Sequence, residues 1–254
     1  MKKILALLLL AAMFATMLTM TACDDDAKET ASDNSVSAGT GDGGLGLGAS
    51  QGTSEGTSNI APNTSEDNSG NTEIKDDIMG AYTESTHTYE NKFVNLGCRL
   101  EDEWEVFNRE QVAQLVGLTA NMINNDALAE LLTNGQTVII FYAQKDSGRT
   151  NINIGLEDLG ALYGSALNEK QYADIAVTQM GPMLESMGMT GITTKVDTIS
   201  FAGGEHAAIH VSGSLQGVTL NETAVCIKVG NYMAIITITS TGSPSDCYSM
   251  FYGL

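Results

Sequence analysis

Thr137-Val-Ile-Ile-Phe-Tyr-Ala143 is the stretch whose reading decides the fold. It is short, rich in β-branched and aromatic residues, and apolar on consecutive positions, so it reads as a strand whose two faces are both covered. Ala234-Ile-Ile236 repeats that pattern near the other end of the chain. Working outward, the turn Lys145-Asp-Ser-Gly-Arg149 joins the first strand to a second over 151–156, which makes a hairpin. Further strands are expected over 192–200, 205–212, 218–229 and 232–240, separated by Ala202-Gly-Gly204, Gln216-Gly217 and Gly230-Asn231. Two short strands, over 89–100 and 103–107, precede them. Helices start at two capping boxes, Asn108 with Gln111 and Asn168 with Gln171. The first carries Val112, Leu115, Val116, Thr119, Met122 and Ile123 on one face. The second carries Tyr172, Ile175, Ala176, Met180, Met183, Leu184 and Met187, and Gly181-Pro182 should kink it. A short helix over 126–132 and a last one over 245–252 complete the set. The fold class is α+β: an α/β/α sandwich with a largely antiparallel sheet.

The sandwich occupies residues 88–254. Residues 23–87 are rich in Gly, Ser, Thr, Asn and Asp, too poor in apolar groups to offset the entropy of ordering, and read as an acidic tether. A flexible coil of this length spans about 45 Å. Within it Gly41-Asp-Gly-Gly-Leu-Gly46 has the spelling of a dinucleotide loop, but no strand precedes it and no helix follows. Residues 1–22 have the order of an export signal: Lys2-Lys3, an apolar run over 4–20, then Thr21-Ala22-Cys23. Asp24-Asp25-Asp26 follows at once, without the basic flank of a retained membrane helix. The segment Leu18-Thr-Met-Thr-Ala-Cys23 resembles the bacterial lipobox, with Met20 in place of the usual Leu or Val. That resemblance implies a lipoprotein whose Cys23 carries a diacylglycerol on the outer face of the cytoplasmic membrane. Two acyl chains suffice for stable anchoring.

The formal charge is −19, with 13 acidic and 2 basic residues in 24–87 and 18 acidic and 8 basic in 88–254. No basic face for phosphates is visible in the sequence, so no nucleic-acid partner is expected. With Cys23 assigned to lipid, Cys98, Cys226 and Cys247 remain. An odd number argues against a disulfide framework and leaves three reduced, buried thiols or one bridge and one free thiol.

Chemistry-bearing constellations are sparse. His206 and His210 lie four apart in Glu205-His-Ala-Ala-Ile-His-Val211, which reads as a strand. Four residues of strand span about 13 Å, too far for one ion with nitrogen ligands at about 2.0–2.1 Å, so no metal is expected. Glu101-Asp-Glu-Trp-Glu105 is a dense acidic run, but strand alternation keeps its carboxylates from converging on calcium. Trp104, the single tryptophan, is a core anchor or an interface residue. Gly213-Ser-Leu-Gln-Gly217 misplaces the serine of a nucleophile elbow, and no metalloprotease or phosphate-loop spelling occurs. No catalytic residue and no cofactor is therefore assigned. The alternative is an exported enzyme, a hydrolase, in which His206 or His210 meets a carboxylate or thiol in a deep pocket.

Tyr89-Glu-Asn91-Lys92-Phe93, the Leu100 to Trp104 step, and the succession of helix, hairpin, helix and antiparallel strands resemble the Mog1/PsbP-like fold over 88–254. Glu101 and Glu103 stand where that family usually has Pro and Gly. The resemblance implies a non-catalytic module that binds or supports another protein at the envelope, and it carries over no functional residue.

Overall fold

The computed structural model describes residues 78–117 and 125–254. The signal at 1–22, Cys23, the tether up to residue 77, and Thr119, Met122 and Ile123 lie outside the described residues.

Among the described residues eleven strands form two antiparallel sheets. The small sheet has β1 (Ala81–Thr83), β2 (Thr88–Asn91), β3 (Leu96–Arg99) and β11 (Phe251–Gly253), in that order. The large sheet runs β4 (Glu105–Val106), β5 (Thr137–Lys145), β6 (Thr150–Asp158), β10 (Tyr232–Ser240), β9 (Val218–Val229), β8 (Gly204–Leu215) and β7 (Met189–Phe201). The helices are α1 (Arg109–Leu115), α2 (Asn125–Thr133), α3 (Gly160–Ala166) and α4 (Glu169–Ser186). The class is α+β, as expected.

Both capping boxes form. Asn108 Oδ1 accepts from Gln111 N at 3.0 Å, Asn168 Oδ1 accepts from Gln171 N at 2.9 Å, and each glutamine side chain accepts from the cap's own N–H. α4 runs through Pro182 to Ser186 and buries Tyr172, Ala173, Ala176, Met180 and Leu184 against Ile209, Val211 and Leu215 of β8 and Leu220 and Ala224 of β9. Ile175 belongs to the expected stripe but points outward, 49% exposed. The opposite face of the sheet, with Ile152, Ile154, Leu156, Val225, Ala234, Ile236 and Ile238, is covered by the small sheet together with Leu128 and Leu132 of α2. Helices thus lie on both faces, but the second layer is shared with strands.

Three local expectations need correction. The segment 89–100 is a hairpin rather than one strand, because Asn95 takes a left-handed conformation (φ 59) and turns the chain between β2 and β3. The buried Asn91 side chain closes that turn: it accepts from Val94 N at 3.0 Å and donates to Ile78 O at 2.9 Å and the Tyr89 hydroxyl at 3.0 Å. The C-terminal helix is a 3₁₀ turn over Pro244–Met250, after which Phe251–Gly253 pairs with β3. Packed structure also starts before residue 88, since Ile78 is 1% exposed and β1 pairs with β2.

Candidate functional site

The site grows from a strand that stops early. β4 contributes only Glu105 and Val106, paired with Gln144 and Ala143, and the last ladder bond runs from Phe107 N to Tyr142 O at 3.0 Å. Asn108 then caps α1 and takes the chain off the sheet. The outer edge of β5 over 137–141 is left with no strand partner among the described residues. α1 covers one side of this edge, with Val112 against Ile139 and Tyr142. α2 covers the other, with Leu128 and Leu132 in the cluster that holds Val138, Ile140 and Phe141. A register shift between Ile139 and Phe141 makes Ile140 a bulge, so Ile140 and Phe141 join the same cluster.

Between these elements lies a cavity of about 1000 Å³. Its floor is Val138 to Phe141 with Tyr89 and Trp104, and exposed Glu84, Asn108 and Arg109 form its mouth. The lining is mostly apolar and holds a few polar atoms, the usual composition of a small-ligand or peptide site. Three of those atoms are buried with no hydrogen-bond partner among the described residues: His87 Nδ1, Trp104 Nε1 and Thr137 Oγ1. A buried N–H left unpaired costs about 1–3 kcal/mol, which a bound acceptor would recover.

Charge around the cavity is unbalanced. Glu84 lines it, Asp102 stands 3.9 Å from His87 Nδ1 in its wall, and Glu101, Glu103 and Glu105 flank Trp104. Lys145 answers part of this, 3.4 Å from Glu103, 3.8 Å from Glu101 and 5.1 Å over the Trp104 ring. These pairs are partly exposed and individually weak.

The residues singled out by sequence fall in separate places. Trp104 is 6% exposed, so it belongs to the cavity wall and not to the outer surface. His206 and His210 sit on β8 and do not converge. His206 Nδ1 is 3.1 Å from the Glu169 carboxylate, while His210 Nδ1 is 3.0 Å from Thr223 Oγ1, which also receives the Tyr248 hydroxyl at 3.0 Å. Among the described residues no group of three or more His, Cys, Asp or Glu could hold a metal.

The His206–Glu169 pair is the kind an acid–base enzyme uses, but its carboxylate is committed to the backbone. Pairing of β8 with β9 ends at Ala207 and Cys226, and Glu169 accepts from Lys228 N at 3.0 Å and Ala207 N at 3.4 Å just beyond. Burial pushes the Glu169 carboxyl up, yet the bonds from His206, Lys228 and Ala207 prevail and hold it below the ordinary glutamate range. Neither His206 nor Glu169 lines the cavity. The three thiols are free and buried, Cys98 and Cys247 in one core cluster and Cys226 in the other. Burial raises Cys98, helped by Cys247, to about 12, which leaves it a poor nucleophile at neutral pH.

Sequence reasoning missed the open edge of β5, Arg109 and Glu84 at the mouth, and the buried Glu222. Only the capping box at Asn108 hinted at the first, by marking where the chain must leave the sheet.

No family model matches the chain, and no curated protein matches it. Solved structures resemble it at low scores. A Bacteroides thetaiotaomicron structure is 10% identical over 63% of this chain and 45% of that one, with a TM-score of 0.35. A protein of unknown function from Pseudomonas aeruginosa is 20% identical over 38% of this chain and 60% of that one, with a TM-score of 0.26. LpqN of Mycobacterium tuberculosis, involved in cell envelope biogenesis, is 8% identical over 62% of this chain and 82% of that one, with a TM-score of 0.29. The chain therefore spans about half of the first two structures, 45% and 60% of their lengths. Among the described residues no helix is long and apolar enough to cross a membrane.

Proposed function

We propose that the protein is a non-catalytic binding module of the cell envelope, anchored through lipid on Cys23, and that the cavity beside β5 receives the apolar part of a protein partner. The observation that carries this reading is the cavity itself: about 1000 Å³, apolar, reached from an exposed rim, with the buried Trp104 N–H unpaired among the described residues. The lipobox resemblance at 18–23 supports the address, and the Mog1/PsbP-like order of elements supports a binding role.

Both halves can be tested on the full-length exported protein. Cys23→Ser should release it from the membrane fraction after export; retention would remove the lipid anchor from the account. Trp104 is the only tryptophan, so its emission reports on the cavity. An uncharged apolar probe, phenylnaphthylamine, should bind with energy transfer from Trp104. Leu115→Glu places a carboxylate on the half-exposed cavity wall and should weaken that binding by roughly tenfold, given the cost of desolvating a charge. Probe binding that ignores Leu115→Glu would place the apolar site elsewhere.

A further inference from the structure

We infer that the partner's binding segment is an extended peptide, an apolar stretch flanked by Lys or Arg, which adds to the large sheet as a strand along the open edge of β5. The inference rests on the reading of the cavity as a binding site and names what enters it.

The two edges of the large sheet are built differently. β7, the far edge, carries Lys195, Asp197 and exposed threonines, and its register breaks between Thr190 and Thr193. Charges of that kind keep an edge from pairing with foreign strands, and it is charge that separates the two edges, since β5 has an irregularity of its own at Ile140. β5 has no charged residue from Thr137 to Gln144, and over 137–141 it has no outer partner among the described residues. Five residues of strand extend about 17 Å, enough to pair about five residues of a peptide. Side chains of an added strand alternate between two faces, and the cavity is lined on both: Ile139 and Val112 on the α1 side, Val138 and Leu128 on the α2 side. Main-chain bonds to an edge with pockets for alternate side chains is the physical basis of strand addition.

The rim selects the flanks. Glu84 and Arg109 stand at the mouth, Asp102 lies 3.9 Å from His87 of the lining, and Glu101, Glu103 and Glu105 flank Trp104 in the chain, with Lys145 pairing Glu101 and Glu103. An acidic rim favours a cationic segment and repels an acidic one. The Trp104 N–H, buried and unpaired among the described residues, offers a donor that an uncharged apolar ligand would leave unused.

The test titrates the full-length protein, followed by Trp104 emission, with synthetic peptides of alternating Val and Thr. One is flanked by Lys, one by Glu, and one is Lys-flanked with alternate backbone nitrogens methylated. The Lys-flanked peptide should bind, weaken with added salt, and compete with phenylnaphthylamine. Methylation should cost roughly tenfold or more, because it removes main-chain donors while keeping the side chains. Glu flanks should also abolish binding. If phenylnaphthylamine binds and all three peptides fail, strand addition is wrong while the cavity reading stands. If the methylated peptide binds as well as its parent, the contact is side-chain burial only and the inference is overturned. If neither probe nor peptide binds, both readings fall. Leu115→Glu, already scored with the probe, should weaken the Lys-flanked peptide as well; unchanged affinity would mean the peptide sits elsewhere.

Discussion

Replacing Glu222 by glutamine should abolish a loss of stability that the native protein suffers as pH rises from about 5 to above 8. Glu222 lies on β9, 3% exposed, and its carboxylate accepts only the Thr239 hydroxyl, at 3.3 Å, with no ion pair among the described residues. Burial pushes its carboxyl up to about 8, against the small opposing effect of Thr239. In the unfolded chain a glutamate titrates near 4.3. Between these two values the native state holds a proton that the unfolded state has released, so stability is complete below the unfolded value and declines as pH rises towards the folded one. At about 1.4 kcal/mol per pH unit, the loss is on the order of 4 kcal/mol by pH 8. Glutamine cannot ionise and still accepts from Thr239. Urea unfolding of both proteins from pH 5 to 8.5 should give nearly equal free energies at the acid end and a more stable variant at the alkaline end. Parallel pH profiles would show that Glu222 ionises normally.

Asn91→Ala should cost about 3 kcal/mol or more of stability at any pH, with little change in the denaturant slope. Asn91 is fully buried and uses both ends of its amide: its oxygen takes Val94 N, and its nitrogen serves Ile78 O and the Tyr89 hydroxyl. Truncation leaves two of those groups short of a partner and opens a void beside Tyr89, which stacks on Phe141 in the cavity floor. The Trp104 emission of the surviving folded fraction should therefore shift too. A variant as stable as the native protein would mean that solvent replaces these bonds.

Much of the fold was legible because its signals are local. Each capping box ties two residues three apart to one another's backbone, a relation set by local spacing, and both appear where they were expected. The β9–β10 hairpin was legible for the same reason, with Gly230-Asn231 punctuating two strongly apolar runs. The β2–β3 turn was not, because Asn95 supplies the left-handed conformation without a glycine and the apolar residues around it read as continuous strand. The C-terminal strand escaped as well, since three residues acquire strand character only by pairing with β3.

The sequence by itself determined the α+β class, the acidic charge, and the expectation of a lipid anchor, because composition and short-range spacing suffice for each. The tertiary structure alone decided that the Glu169 carboxylate facing His206 serves backbone donors, that burial pushes the Glu222 carboxyl up, and that β5 over 137–141 has no strand partner among the described residues. Burial and missing partners arise from segments distant in the chain, and no local pattern of residues records them.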